Sequence, residues 1–394
     1  MLLTIITFLI VLSVLVFAHE LGHFLTARRF GVKAEEFGFG FPPRAFGIYK
    51  NYQGKWKFVW GGKEVADSPG TVYSINWLPL GGFVKIKGEN GPSASSGLAE
   101  DEDKDSFAFR PIWQRAVMLS AGVVMNIVLA AILISVGFMM GLPQALDGSL
   151  DSGALVSDRK IQVVQVVKDS PAELAGLRLG DTILSIDGNE FANFEELQAY
   201  VNARIGKVLD YKIGRGAETL EEKITPVVMA ETGKGGVGIA ISETGIVRYP
   251  WQLAIWQGVK TTLILTWAII VAFYELLKGL IMGQGVVADL SGPVGIATLT
   301  GQVARLGFIY LMQFTALLSI NLAVINFFPF PALDGGRVLF LIIEKIKGSP
   351  VKREVEGVIH NIGFALLMVL VLVVTFRDIN RFSNIFNNIW DKIF

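Results

Sequence analysis

Three long stretches of the chain carry no charged side chain: residues 1–18, 116–141 and 306–333. A fourth, 357–376, carries only His360. A helix needs about 20 apolar residues to cross a bilayer core, so each stretch predicts a membrane-crossing helix. The first stretch lacks the basic n-region and small-residue cleavage site of a signal peptide, and it runs straight into His19–His23. It is expected to be a retained helix. A fifth apolar stretch, 251–282, contains Lys260, Glu275 and Lys278, which leave only Thr261–Tyr274 uncharged. That core is short for a span, so an interfacial or re-entrant segment is expected there.

Between the spans the pattern changes. Residues 32–90 are rich in glycine, proline and aromatics, and runs such as Lys57–Trp60 and Phe83–Lys87 predict strands broken by turns. Residues 91–106, with the acidic run Glu100–Asp103, read as a solvated linker. Residues 158–242 alternate as a small soluble domain does. Ile161–Val167 and Thr182–Asp187 predict strands, the second ending at an Asp187-Gly188 turn. Ser170-Pro171-Ala172-Glu173 opens a short helix, with proline in its first turn. Phe194–Asn202 predicts an amphipathic helix.

Composition sharpens this picture. Hydrophobic residues make up 52% of the 394, and mean hydropathy is +0.51. Lys+Arg and Asp+Glu balance at 35 each, so charge gives no reason to expect a nucleic-acid partner. Cysteine is absent, so no disulfide braces any part. Histidine occurs three times, at 19, 23 and 360, and that scarcity makes the spacing informative.

His19-Glu20-Leu21-Gly22-His23 is an H-E-x-x-H motif. On a helix, positions i and i+4 share a face, so both imidazoles can reach one metal ion. Glu20 is placed to take a proton from the water that such a metal activates. Ionisable groups beside a membrane segment are costly and mark function. Catalytic zinc usually takes three protein ligands. His360 stands without a supporting motif, and a lone histidine near a helix start is more often capping or packing than a ligand. Asp334 is the better candidate, in Asn326-Phe-Phe-Pro329-Phe-Pro331-Ala-Leu-Asp334-Gly335-Gly336. There two prolines break the helix and two glycines follow the carboxylate. A capping aspartate at a helix end is the competing explanation.

HELGH near the start, NFFPFPALDGG near the end and the run SPAELAGLRLGDTILSIDG (170–188) between them resemble the site-2 protease family. LGGFVKIKGE (80–89) and SGPVGIA (291–297) point to its bacterial branch, the regulator-of-sigma-E proteases. The 170–188 run itself resembles PDZ domains, which bind extended peptides by strand addition. The resemblance implies one zinc ion held by His19, His23 and Asp334, with Glu20 as general base. It implies that Asn321 and Asn326 contact the substrate backbone. It also implies that Gly82, Phe83, Val84, Lys85, Ile86 and Lys87 belong to a membrane-associated β-hairpin whose edge receives substrate. Interhelical hydrogen bonding by the asparagines, and a merely amphipathic hairpin, remain the alternatives. One PDZ-like domain stands where well-known members of the branch carry two.

The expected fold is a polytopic α-helical membrane protein with four transmembrane helices, a membrane-associated β-hairpin region and one α+β PDZ-like domain. The expected segments are 1–141, 158–242, 251–282 and 306–394. The expected activity is intramembrane zinc-dependent proteolysis of membrane proteins, such as single-span anti-sigma factors or remnant signal peptides. A catalytically silent scaffold presenting the PDZ-like domain is the rival. Basic residues favour the cytoplasmic side. Arg28, Arg29 and Lys33 follow the first span, so the expected site is a bacterial inner membrane with the motif near the cytoplasm and the PDZ-like domain outside. Residues 283–305 are expected outside too, with Gln284 open to reagents there.

Overall fold

The computed structural model describes residues 2–63, 65, 68–89, 105–146, 151, 153–216, 218–229, 233–283 and 291–393. The linker expected at 91–106 falls mostly outside these residues, as does Gln284. One compact unit is built from Met1–Ser135 and Gln257–Phe394, the other from Val136–Trp256.

The chain opens with α1 (Leu2–Arg29), followed by the strands β1 (Ala34–Lys50), β2 (Trp56–Trp60) and β3 (Val72–Ile86), and then α2 (Ile112–Met140). The three strands form one sheet in the order β2-β1-β3. β3 doubles back on β1. Residues 36–39 of β1 pair with 72–75 of β3 on one side and with 82–85 on the other. Gly81, with φ of 99°, makes the bend. Residues 82–86 are thereby left at an edge of the sheet, with Gly82 against Phe17 of α1. Ser13 Oγ joins α1 to the bend, donating to Pro79 O at 3.1 Å and accepting from Gly81 N at 3.3 Å. Phe24, Ala34 and Phe37 bury the contact between helix and sheet.

The second unit contains β4 (Leu142–Ala145), β5 (Leu155–Val166), α3 (Pro171–Leu174), β6 (Thr182–Ile186), α4 (Phe194–Asn202), β7 (Leu209–Arg215), β8 (Glu218–Ile224), β9 (Val227–Val228), β10 (Gly235–Gly236) and β11 (Ile239–Arg248). Its main sheet runs β4-β11-β5-β6-β7-β8. The predicted elements recur with local causes. Ser170 Oγ accepts from Glu173 N and caps α3. Asp187 and Gly188 both take positive φ at the turn after β6. Leu197 and Val201 of α4 pack on a core that includes Ile186, Tyr211 and Ile213. β11 runs past residue 242, and β4 pairs with its second half at 244–247.

The first unit then continues with α5 (Trp251–Ile281), α6 (Pro293–Leu306), α7 (Phe308–Phe327), α8 (Asp334–Lys347) and α9 (Arg353–Ile393). Among the described residues, five helices are long and apolar enough to cross a membrane: α1, α2, α5, α7 and the 354–379 part of α9. The count of four is therefore not confirmed. The difference is α5, an unbroken helix of 31 residues. Glu275 and Lys278 pair with each other at 3.1 Å, one turn apart, which lowers the cost of charge there. A Cβ on Gly258 would run into Ser135 of α2, and the ring of Phe273 lies 5.3 Å from that of Phe328. From 258 to 273 the helix travels about 22 Å. It runs from beside Ser135 to beside Phe328, just before the loop that leads to Asp334. By Gly292 the chain is back beside Asp378 of α9, and Gly301 packs on Thr4 at the start of α1. The helix itself does not turn back.

Candidate metal centre

His19, Gly22 and His23 are buried on one face of α1. Glycine at two positions lets α2 reach them. A Cβ on Gly22 would collide with the Ala121 carbonyl, and a Cβ on Gly122 would collide with both imidazole rings. The helices consequently cross with backbone against backbone, the close approach that small residues permit.

The outward nitrogens of both rings have partners. His23 Nδ1 lies 2.8 Å from Met118 O. A carbonyl only accepts, so Nδ1 carries the proton and Nε2 presents a lone pair. His19 Nδ1 lies 3.4 Å from the side-chain amide of Asn126, which is fully buried. Asn126 Oδ1 otherwise has no partner among the described residues. Turned toward the ring, it accepts from His19 Nδ1–H and frees Nε2 in the same way. Ser319 Oγ, donating to Asn126 O at 2.8 Å, ties this turn of α2 to α7.

Both free nitrogens converge on Asp334. His19 Nε2 and His23 Nε2 lie 3.0 and 3.5 Å from Asp334 Oδ2, and 3.2 Å from each other. With the rings in these tautomers, three lone pairs face one another with no hydrogen between them, an arrangement that calls for a cation. Tetrahedral zinc with bonds of about 2.0 to 2.2 Å sets its ligand atoms about 3.3 to 3.6 Å apart. The three separations, 3.0, 3.2 and 3.5 Å, run from slightly below that spacing into it, and two imidazoles with one carboxylate are a donor set that zinc accepts.

Asp334 reaches this point because helix formation fails before it. Pro329 and Pro331 interrupt the helical bonding between α7 and α8. Ala332 takes φ of 78°, a left-handed conformation that costs a non-glycine residue roughly 1–2 kcal/mol. Gly335 and Gly336 seat α8 on the Phe327 and Phe330 carbonyls, where any Cβ would collide. Ion pairs then tie α8 to its neighbours: Arg337 with Glu89, at the end of the β3 hairpin, and Arg115 of α2 with Glu344 at 2.5 Å.

The other expected residues are distributed differently. Glu20 is half-buried, with His23, His19, Asp334 and Glu89 as its charged neighbours. Asn321 donates to Leu317 O of its own helix at 2.9 Å. Asn321 and Asn326 sit on one continuous helix, which sets them about 140° apart around its axis. They are not brought to one surface. Lys85 pairs with Glu35 at 2.8 Å and Lys87 with Asp105 at 2.6 Å. These lysines are engaged sideways, and the Lys87 backbone is taken as well, its N–H donating to Lys33 O and its carbonyl accepting from Phe107 N; what remains to offer is the backbone edge at 82–86. His360 is not part of the cluster: its Nδ1 accepts from Ala332 N at 2.8 Å. Sequence reasoning missed Gly122 and Asn126. The available signal was a glycine and an amide one helical turn apart inside a charge-free span.

The chain is similar to known proteins over nearly its whole length. The model of peptidase family M50 matches residues 7–370. The regulator of sigma-W protease RasP of Bacillus subtilis (strain 168) is 32% identical, with 96% of this chain and 98% of that protein aligned. A putative zinc metalloprotease of Brucella suis biovar 1 is also 32% identical, with 95% of each chain aligned. A solved PDZ domain of the SdrC-like protein from Listeria monocytogenes covers 22% of this chain and 92% of its own, at 27% identity and a TM-score of 0.21. Since the family match and the full-length relatives run through both halves of the metal centre, the chain belongs to peptidase family M50 and is a zinc metalloprotease.

Proposed function

We propose that this protein hydrolyses peptide bonds in or near the transmembrane segments of other membrane proteins. The observation that carries the reading is the convergence of His19, His23 and Asp334 among helices apolar enough to lie in a bilayer. These three residues hold one zinc ion in this reading. When bound, zinc supplies Lewis-acid activation of water and polarisation of the scissile carbonyl. Glu20 accepts a proton as the water oxygen bonds to the carbonyl carbon. It returns that proton to the nitrogen as the C–N bond breaks.

A transmembrane helix hides its peptide bonds within its own turns, and unwinding leaves polar backbone groups that need partners. The free edge of β3 at 82–86 lies beside α1 and is suited to pair with such an unwound strand. Asn321 and Asn326 remain candidates for single contacts with substrate, each on a different face of α7. A relative named as a regulator of sigma-W protease favours a membrane-anchored regulator as substrate, with remnant signal peptides the other candidate class. The basic residues after α1 favour a cytoplasmic position for the site in a bacterial inner membrane, and an outside position for the PDZ-like unit.

The test is reconstitution in lipid with a single-span substrate. Asp334→Ala is expected to lose bound zinc and cleavage together. Stoichiometric zinc of unchanged affinity in that variant would refute the ligand set.

A further inference from the structure

His360 is the one histidine that the proposed chemistry leaves unused, yet it touches the loop that carries Asp334. Its Nδ1 accepts the Ala332 N–H at 2.8 Å. Its Nε2 lies 3.8 Å from Glu356 Oε1 one turn back on α9, and its ring lies 5.4 Å from that of Phe340. A neutral imidazole accepting at Nδ1 carries its proton on Nε2, so neither nitrogen has a lone pair turned to the metal centre. Ala332 stands two residues before Asp334, in the left-handed conformation. One turn further along α9, a Cβ on Gly363 would run into Pro331. Two consecutive residues of the loop, Pro331 and Ala332, are thus held by two residues on one face of α9. From the other side, Gly335 and Gly336 press the start of α8 onto carbonyls of the same loop. A loop of broken helix has backbone groups in need of partners. A strained conformation persists only where its surroundings hold it.

We propose that His360 is a positioning residue: by accepting the Ala332 N–H, it fixes the loop that delivers the Asp334 carboxylate to His19 and His23, and so sets the affinity of the site for zinc. The inference rests on Asp334 being a zinc ligand. It makes α9 part of the metal centre without contributing a donor to it. Its action is that of the outer partners that orient metal ligands elsewhere, here exerted through one backbone amide.

The test uses the full-length protein in lipid nanodiscs, with zinc affinity read by competition against a chromogenic chelator. Side-chain amides separate the two ring nitrogens. Asparagine places an acceptor near the position of Nδ1, and glutamine places one near that of Nε2. His360→Asn is expected to bind zinc close to wild type. His360→Gln and His360→Leu are expected to bind it about 10- to 100-fold more weakly. At subsaturating zinc their kcat should fall, with KM little changed, because fewer molecules carry the metal while the free edge at 82–86 is unaltered. Wild-type affinity in His360→Gln would overturn the inference, as would wild-type affinity in His360→Leu. Loss of zinc in His360→Asn as complete as in Asp334→Ala would also overturn it, by marking His360 as a ligand. If His360→Leu fails to accumulate, the asparagine and glutamine variants carry the comparison alone. Asp334→Ala serves as the control: zinc retained there at wild-type affinity would reject the ligand set itself, whereas zinc lost there but unchanged in His360→Gln would reject only the positioning role.

Discussion

Glu20 differs from its neighbours in what it is expected to do, and single substitutions can separate the roles. Glu20→Gln removes a proton acceptor while keeping the size of the side chain. Cleavage is expected to fall about 10²- to 10⁴-fold, while metal analysis of the purified variant still finds zinc. Near-normal turnover would mean that another group takes the proton. Gly122→Ala tests the opposite kind of role, since glycine contributes only the absence of a Cβ. The added methyl group meets both imidazoles, so zinc affinity and thermal stability are expected to drop together. Unchanged affinity in that variant would show that α1 alone aims the rings. Only part of this arrangement was legible in sequence. The H-E-x-x-H spacing offered two candidate ligands and a candidate base, because helix geometry alone puts them on one turn. Gly122 and Asn126 were not legible, because their importance depends on which face of α2 meets α1.

At the scale of elements, the second unit is expected to control cleavage without taking part in it, since none of the three clustered donors comes from it. Excision must respect its strands. Removing 158–242 would cut β11, which continues to Arg248 and pairs with β4. Joining Gly141 to Tyr249 is the cleaner deletion, because Tyr249 N already donates to Phe138 O at 3.0 Å. Short substrates should be cleaved as well as by the intact protein, or faster. A folded deletion variant with no cleavage would make this unit part of the catalytic machinery. The same unit carries a pH-dependent brace. Asp181 is buried, and burial alone would raise its pKa. Two bonds from Arg215, at 2.8 and 2.7 Å, and one from Arg178 N outweigh that effect and hold the carboxyl below the usual carboxylate range. A depressed folded-state pKa means that the stabilisation is complete above the unfolded value of about 3.9 and is lost as pH falls through the folded value. Asp181→Asn is expected to destabilise the unit by about 1–3 kcal/mol at neutral pH and to flatten that acid dependence. A thermal melt series between pH 7 and pH 2 checks both; an acid dependence unchanged by the substitution would remove Asp181 from the account.

At the scale of the whole chain, orientation in the membrane is the open quantity, and the absence of cysteine makes it measurable. A cysteine introduced as Gly188→Cys, in the turn after β6, is expected to react with an impermeant thiol reagent from outside the cell. One introduced as Gly348→Cys, just past α8, is expected to react only after the membrane is opened. Labelling of Gly348→Cys from outside would invert the proposed placement of the metal centre. The count of four read from sequence is not confirmed, because α5 is long and apolar enough to be a fifth span, whereas hydropathy along the chain treats Lys260, Glu275 and Lys278 as costs fixed in place. In the folded chain, Glu275 and Lys278 are paired, and the unbroken helix carries the apolar stretch down to Phe328.

The sequence by itself determined which segments are apolar, where H-E-x-x-H lies, where prolines break the last helix before Asp334, and the pattern of the PDZ-like unit. Each of these is a local property, written in periods of a few residues or in single residues that backbone geometry cannot ignore. Only the tertiary structure decided that His19, His23 and Asp334 meet and that the 82–86 segment forms an edge of the sheet beside α1. It alone assigned His360 to the backbone of Ala332 instead of to the metal. These are relations between segments up to several hundred residues apart. They depend on which small residues permit close approach and on which buried polar atoms must find partners, and neither condition can be evaluated until the helices are packed.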